Sequence, residues 1–362
     1  MKRSQFLIAL CLVLGTLTLN LIDAEAATQP TQANPIKLTY SNYFPAPHPH
    51  AILGKEFCEE IKKRTNGRVE ITYIPGGTLT SASRVYDGVL KGVSDMGMSN
   101  IAYTRGRFPV TEILDLPLGF PSGWVATHVA NDFFRQFKPN EWNEVRVIYL
   151  HACGPNVIYT SKKPVYRLED LKGLKIRGTG RIADVVKALG ASPIPIETPD
   201  LYDSLSRGVV DGAMNPMALL SEYKLGEVIK YTTECWQVGN VYNFYVVMNK
   251  NKWNILPEDL QKVFAEVADE WIEKHGRRWN ETDFEGKKFS MDLNGKFISL
   301  PPDEVARWQQ ATRPVVDAYM KDMEAKGFSS KEMVDHFEYA KGRIKYWNSK
   351  QDELGIKSAT SK

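Results

Sequence analysis

The chain has 362 residues, 43% hydrophobic and 25% charged, with a net charge of +3 at neutral pH from 46 basic and 43 acidic side chains. These proportions are ordinary for a globular protein and leave room for two lobes with separate cores, so disorder is excluded as the default. The charges are interspersed, and the absence of a polybasic tract argues against nucleic acid or an anionic membrane surface as a partner.

Lys2 and Arg3 precede an apolar run from Phe6 to Leu14, and Ala24-Glu25-Ala26 supplies the small-x-small pattern of a signal-peptidase site. Residues 1–26 are expected to be a cleaved signal peptide, because the run is shorter than the roughly 20 residues that span a bilayer. Leu10 before Cys11 is too bulky for lipoprotein processing. Cys58, Cys153 and Cys235 remain, too few for a disulfide framework and at spacings that match no zinc motif. Three buried thiols are expected ahead of one bridge plus a free thiol.

After a polar leader to Pro35, residues 36–41 read as a strand, 51–64 as an amphipathic helix and 69–74 as a second strand. Strands alternating with helices imply an α/β architecture with mainly parallel sheets, since parallel neighbours need crossover connections. The run Tyr86-Asp-Gly-Val-Leu-Lys-Gly-Val-Ser-Asp-Met-Gly-Met98 recurs as Tyr202-Asp-Ser-Leu-Ser-Arg-Gly-Val-Val-Asp-Gly-Ala-Met214, identical at six of thirteen positions. In each copy a helix ends at Gly92 or Gly208, which tolerate a left-handed cap, before an Asp and a short strand. Two copies 116 residues apart indicate two lobes of related topology rather than a solenoid.

The second copy lies in a readable series of strand 175–177, helix 181–189, strand 193–196, helix 200–207 and strand 212–215. Ligands of open α/β sheets gather beyond the carboxyl ends of the strands, which directs attention to Arg177, Asn215, Ser99, Asn100 and the loop after Ser41. Residues 241–248 read as a strand returning to the first lobe, 257–275 as a long helix, and 312–326 and 331–349 as helices packing across both lobes. The expected division is 36–156 plus 246–287 for lobe I, 157–245 plus 288–349 for lobe II, and 350–362 as a C-terminal tail.

With these residues the chain resembles the DctP-type solute-binding proteins of tripartite ATP-independent periplasmic (TRAP) transporters. The resemblance is carried by Leu168-Glu-Asp-Leu-Lys-Gly-Leu-Lys-Ile-Arg177, Ala188-Leu-Gly-Ala191, Gly208-Val-Val-Asp-Gly212, Asn215-Pro216, and Met248-Asn249 followed by Trp253. It implies a two-lobed periplasmic-binding-protein-like fold, hinge closure over a small organic anion, and delivery to TRAP membrane subunits from the periplasm. The anion would be a carboxylate, including oxo, hydroxy or aromatic acids, or a sulfonate. It further implies that Arg177 grips the ligand carboxylate, which suits a planar guanidinium fork. Asn215 takes the place of the family's ligand-contacting asparagine. No arginine occupies 154–157, where many relatives carry a second one, so a monocarboxylate is favoured and Asn156 is the weaker donor left there. Thr198 stands where sialate-binding relatives have phenylalanine. Tyr43, Phe44, Tyr103, Trp236 and Tyr242 fall in segments that line relatives' clefts, and Tyr43 and Asn100 are expected to close over the anion held by lobe II.

No Gly-x-Ser-x-Gly, His-Glu-x-x-His or Walker loop is present, which disfavours an exported enzyme and gives no cofactor or metal assignment. His48-Pro-His50 is expected to be a solvated turn, and His151-Ala-Cys153 core. The binding component of an ABC transporter or sensory system shares the two-lobed logic and is the alternative function. A monomer is expected, for want of an exposed apolar stripe.

Overall fold

The computed structural model describes residues 34–360. The expected signal peptide, 1–26, lies outside the described residues. In chain order the elements are β1 (Ile36–Asn42), α1 (Pro49–Arg64), β2 (Val69–Ile74), α2 (Val85–Leu90), β3 (Met96–Asn100), α3 (Gly123–Phe137), β4 (Val145–Ala152) and β5 (Val157–Thr160). Then follow β6 (Lys175–Arg177), α4 (Ile182–Ala188), β7 (Ser192–Ile194), α5 (Leu201–Ser206), β8 (Gly212–Asn215), α6 (Leu219–Glu222), β9 (Tyr231–Glu234) and β10 (Asn243–Asn249). The chain closes with α7 (Lys250–Asn254), α8 (Glu258–Asp292), β11 (Lys296–Ser299), α9 (Pro302–Ala325) and α10 (Ser330–Glu353), with short 3-10 turns between several elements.

Two sheets result, a five-stranded one in the order β2-β1-β3-β10-β4 and a six-stranded one in the order β11-β9-β5-β8-β6-β7. Both are mixed. Within the first, β1 runs parallel to β2 and β3, while β10 is antiparallel to both β3 and β4. Within the second, β5 is the strand antiparallel to both neighbours, and the remaining pairs are parallel. The antiparallel members β5 and β10 are interior strands entered directly from the other sheet, from β4 and β9, while a third crossing along α8 leads to the parallel edge strand β11.

The two copies of the internal repeat occupy equivalent places as α2–β3 and α5–β8. Gly92 and Gly208 have φ of 73° and 70°, the left-handed cap that a residue with a Cβ avoids. Helix α8 runs 35 residues, about 52 Å at 1.5 Å per residue, and continues well past the expected end at His275. It packs against α1, α3 and β4 of the first sheet and against α6 of the second, so one rigid element spans both. Gly286 permits this crossing, because a Cβ there would overlap the carbonyl oxygen of Met217.

The core beneath the sheet crossing is aromatic. His48 and His50 are buried at 2% and 1% exposure, so the turn expected to be solvated is inside. His48 caps α1, where its Nδ1 accepts the His50 N–H, and its ring stacks on Phe44 at 3.8 Å. His50 stacks on Trp279 at 3.6 Å and His151 on His275 at 4.3 Å. Helical spacing of four puts His275, Trp279 and Asp283 on one face of α8, which explains why all three turn inward. Burial first, then neighbouring imidazoles, pushes His50 and His151 well below the usual range. The same burial takes His275 down to about 3. Asp283, buried and accepting the Ala218 N–H at 2.9 Å, is pushed up to about 8 by burial.

Gly286→Ala is expected to cost about 1–3 kcal/mol by forcing α8 off the loop after β8, read as a lower denaturation midpoint. The titrations work in opposite directions. Between about pH 4 and pH 8 the fold retains the Asp283 proton that the unfolded chain releases, so this contribution to stability is lost as pH rises. The histidines act at the acid end: below about 6.5 the unfolded chain takes up protons that the folded chain refuses, so stability falls with pH. Asp283→Asn keeps an acceptor for Ala218 and removes the proton. Denaturant unfolding at pH 6.5 and pH 8, above the histidine range, should show a smaller loss across this interval in the variant than in the parent, and an equal loss contradicts the assignment.

Candidate functional site

Strands β6 and β8 run parallel with Arg177 opposite Ala213, so their carboxyl ends emerge together at Arg177 and Asn215. That edge faces the first sheet. Arg177 is 1% exposed. Its Nε donates to the Ile196 carbonyl at 2.8 Å, Nη1 to Asn215 Oδ1 at 3.1 Å and to Tyr242 Oη at 2.9 Å, and Nη2 to Thr198 Oγ1 at 3.3 Å. Every one of these acceptors is neutral. No carboxylate pairs with Arg177 among the described residues, although buried arginines normally have one. Burial works against its charge, yet the hydroxyls of Tyr242, Tyr103 and Tyr43 more than offset this and hold the guanidinium above its ordinary range.

Arg177, Asn215 and Tyr242 line a small cavity of about 20 Å³ together with Tyr43 and Asn100 from the first-sheet side. This has room for about one water and is far below ligand sites, which run from roughly 300 to 1,000 Å³, so an acid enters only when the walls move apart. Asn100 Oδ1 accepts the Ala102 N–H at 2.8 Å, which leaves its NH2 as the group it can offer. Tyr43 is fixed by edge contact with Tyr103 and by Phe44. The apolar walls are Phe44, Phe244, Trp279 and Leu219.

Several contacts join the sides of this cavity. Tyr103 Oη lies 2.8 Å from Thr198 Oγ1 and accepts the Thr198 N–H at 3.1 Å. Arg181 reaches Glu112 at 2.8 Å with both side chains buried, and Arg105 reaches Asp184 at 2.7 Å. His48 Nε2 lies 3.2 Å from Glu222 Oε2, again buried. Ala102 leaves no room for a Cβ on Gly180, whose φ is +57°. The molecule is therefore in a closed arrangement.

Two of the expected site residues lie elsewhere. Asn156 stitches the crossing segments together, its Nδ2 donating to Asn240 Oδ1 at 3.0 Å and its N–H to the Asn240 carbonyl at 3.0 Å. The neighbouring Cys153 N–H donates to the Tyr242 carbonyl at 3.2 Å, so this pairing fixes the segment that carries Tyr242. Trp236 lines a separate surface groove beside α10, with Lys345 and Lys357. Tyr223, Leu219 and Trp279 are lining residues that the sequence did not single out. A pairing signal existed, since Leu219 and Tyr223 are four apart just after Asn215-Pro216, and Trp279 continues the α8 stripe of His275.

Cys58, Cys153 and Cys235 are buried and unpaired, with thiols raised by burial, Cys235 to about 12. His50, His151 and His275 are the group of three potential metal ligands among the described residues. Their planes lie within 6–12° of one another, so their in-plane lone pairs do not converge. His151 Nδ1 is also taken by the Trp279 N–H at 3.1 Å, and His50 and His275 share a 2.8 Å Nδ1–Nδ1 bond. These rings pack and hydrogen-bond as a floor behind Phe244 and Trp279.

Among the described residues no helix is long and apolar enough to cross a membrane. Compared with known proteins, the chain is 29% identical over 227 residues to the 2,3-diketo-L-gulonate-binding periplasmic protein of Escherichia coli, covering 60% of this chain and 67% of that one. The first curated relatives matched are spanned over 66–78% of their own length. A TRAP periplasmic solute-binding protein of Bordetella bronchiseptica with bound mandelate is 29% identical, with a TM-score of 0.79, covering 86% of this chain and all of that one. Another from Desulfovibrio salexigens, in an open complex, is 30% identical with a TM-score of 0.75, covering 86% and 96%. Residues 40–322 match the sequence model of the bacterial extracellular solute-binding proteins, family 7, and the chain belongs to that family, the DctP-type solute-binding proteins of TRAP transporters.

Proposed function

We propose that this protein captures a small organic monocarboxylate in the periplasm, closes over it, and presents it to the membrane subunits of a TRAP transporter. The observation that carries this is Arg177, a fully buried guanidinium at a strand terminus with only neutral partners, facing a cavity. Neutral oxygens keep the guanidinium charged but give it no counter-charge, so an anion entering the cavity supplies the ion pair that the protein itself lacks. Tyr242 and Thr198 offer hydroxyls that accept from Arg177 now and can turn to donate to a carboxylate.

The division proposed is 36–156 plus 246–287 for the first lobe and 157–245 plus 288–349 for the second, joined by the two crossing segments. The placement of β11 in the second sheet supports it, while β10 already pairs in the first sheet from Asn243, three residues ahead of the boundary at 246. The second arginine often found among relatives is replaced by a stitched Asn156, so one carboxylate is clamped rather than two. That the Bordetella relative holds mandelate and the Escherichia coli one is named for a diketo acid supports a hydroxy or oxo acid. Nothing in the cavity lines up a nucleophile with a base, which favours binding without turnover, and the protein acts as a monomer.

Arg177→Met keeps the side chain's bulk and removes its charge. Titration calorimetry with mandelate, 3-hydroxyphenylacetate, lactate and pyruvate should show that whichever acids the parent binds lose at least about 100-fold in affinity, the cost of removing one member of a buried charge pair. Undiminished affinity overturns the proposal. Tightly bound acids should also raise the denaturation midpoint of the parent, by about 2.7 kcal/mol of added stability at 100 times Kd, and leave that of the variant unchanged.

A further inference from the structure

We infer that Tyr223 is a second recognition point in the same cavity, reading a neutral hydroxyl or keto oxygen on the acid that Arg177 holds; this rests on the anion-capture function proposed above. Four oxygens lining the cavity with Arg177 are engaged. Asn215 Oδ1, Tyr242 Oη and Thr198 Oγ1 accept from the guanidinium, and Asn100 Oδ1 accepts from a backbone N–H. Tyr223 lines the cavity too, and its hydroxyl is shielded from solvent without a hydrogen-bond partner. Buried hydroxyls are nearly always partnered, and those that are not call for a ligand or an ordered water.

The hydroxyl is held in place. Tyr223 caps α6, its N–H donating to the Leu219 carbonyl at 3.3 Å, and its ring meets the edge of His48 at 5.6 Å. His48 is itself pinned by the stacked Phe44 and by the His50 N–H that its Nδ1 accepts. A group fixed in this way can discriminate by geometry, because it cannot follow a misplaced ligand atom.

Its neighbours decide the chemistry of the partner. Arg177 is the one cation lining the cavity among the described residues, and the buried carboxyl of Glu222 adjoins Tyr223 in the chain. A second carboxylate at this end would lack a counter-charge and face Glu222. Burial, followed by Tyr103 and Glu222, also pushes the Tyr223 hydroxyl well above its ordinary range, so it stays neutral and can donate or accept. A hydroxyl accepts or donates in return, and a keto oxygen accepts. The ligand class is thus a monocarboxylate with one neutral oxygen placed away from the carboxylate.

The test pairs each oxygenated acid with its counterpart lacking that oxygen. The pairs are 3-hydroxyphenylacetate and mandelate against phenylacetate, and lactate and pyruvate against propionate, titrated into the parent and Tyr223→Phe. At least one oxygenated acid should bind the parent about tenfold more tightly than its counterpart, the worth of one neutral hydrogen bond in a closed site. Tyr223→Phe should abolish that preference, weakening the oxygenated acid about tenfold more than its counterpart. Parent affinities equal within each pair, a preference that survives in Tyr223→Phe, or no binding of any member overturns the inference. Should Tyr223→Phe fail to fold, the parent's preference within pairs still decides. Arg177→Met separates the two claims: binding of both members unchanged by that substitution refutes anion capture at Arg177, whatever Tyr223→Phe does.

Discussion

One guanidinium organises this molecule. Arg177 sits at the end of β6 with its charge removed from water and four of its hydrogen bonds spent on neutral oxygens. Such an arrangement is poor for stability taken alone, because hydrogen bonds to dipoles recover only part of the hydration that a buried ion loses. It is sensible as half of a pair. In the proposed capture the other half is a carboxylate, whose planar pair of oxygens matches the fork that Tyr242 and Thr198 now occupy.

The rest of the fold serves to hold that charge at a closable gap. Each sheet receives in its middle a strand that has crossed from the other, and the crossing segments are tied by Cys153 to Tyr242 and Asn156 to Asn240. Tyr242 is therefore placed by the crossing segments and contacts Arg177 directly, so in the proposed capture closure and recognition would share a residue. Helix α8 lies across both sheets, with Gly286 allowing contact with the loop after Asn215 and Trp279 forming cavity wall. The pairs Arg181–Glu112, Arg105–Asp184 and His48–Glu222 fasten the cavity's sides. Closure is then favoured partly by the protein itself, and the anion has less than the roughly 5 kcal/mol of a complete population reversal to supply.

Much of this was legible in the sequence, for physical reasons that also mark where legibility ended. The strands 69–74, 175–177 and 212–215 match the structure because short apolar runs ending at charged or glycine positions have few alternative registers. The repeat located both left-handed caps. Arg177, Asn215, Asn100, Tyr43 and Tyr242 come together because a parallel strand's carboxyl end is a topological address, readable from strand order. Asn156 and Trp236 lie outside the cavity since their positions depend on how two crossing segments pair, which is a tertiary matter. The histidines were read as a solvated turn and isolated core positions, but they form one stack, because α1, β4 and α8 contribute one face each from segments more than 100 residues apart. The length of α8 was hidden by its charge: the stripe of His275, Trp279 and Asp283 is narrow, and its neighbours are Arg, Glu and Lys.

The most direct measurement is a crystal structure of the protein grown with an acid that it binds. The account predicts both carboxylate oxygens at about 2.7–2.9 Å from Arg177 Nη1 and Nη2, with the Tyr242 and Thr198 hydroxyls turned to donate to them. An acid seated away from Arg177, with the guanidinium keeping its present neutral partners, would contradict it.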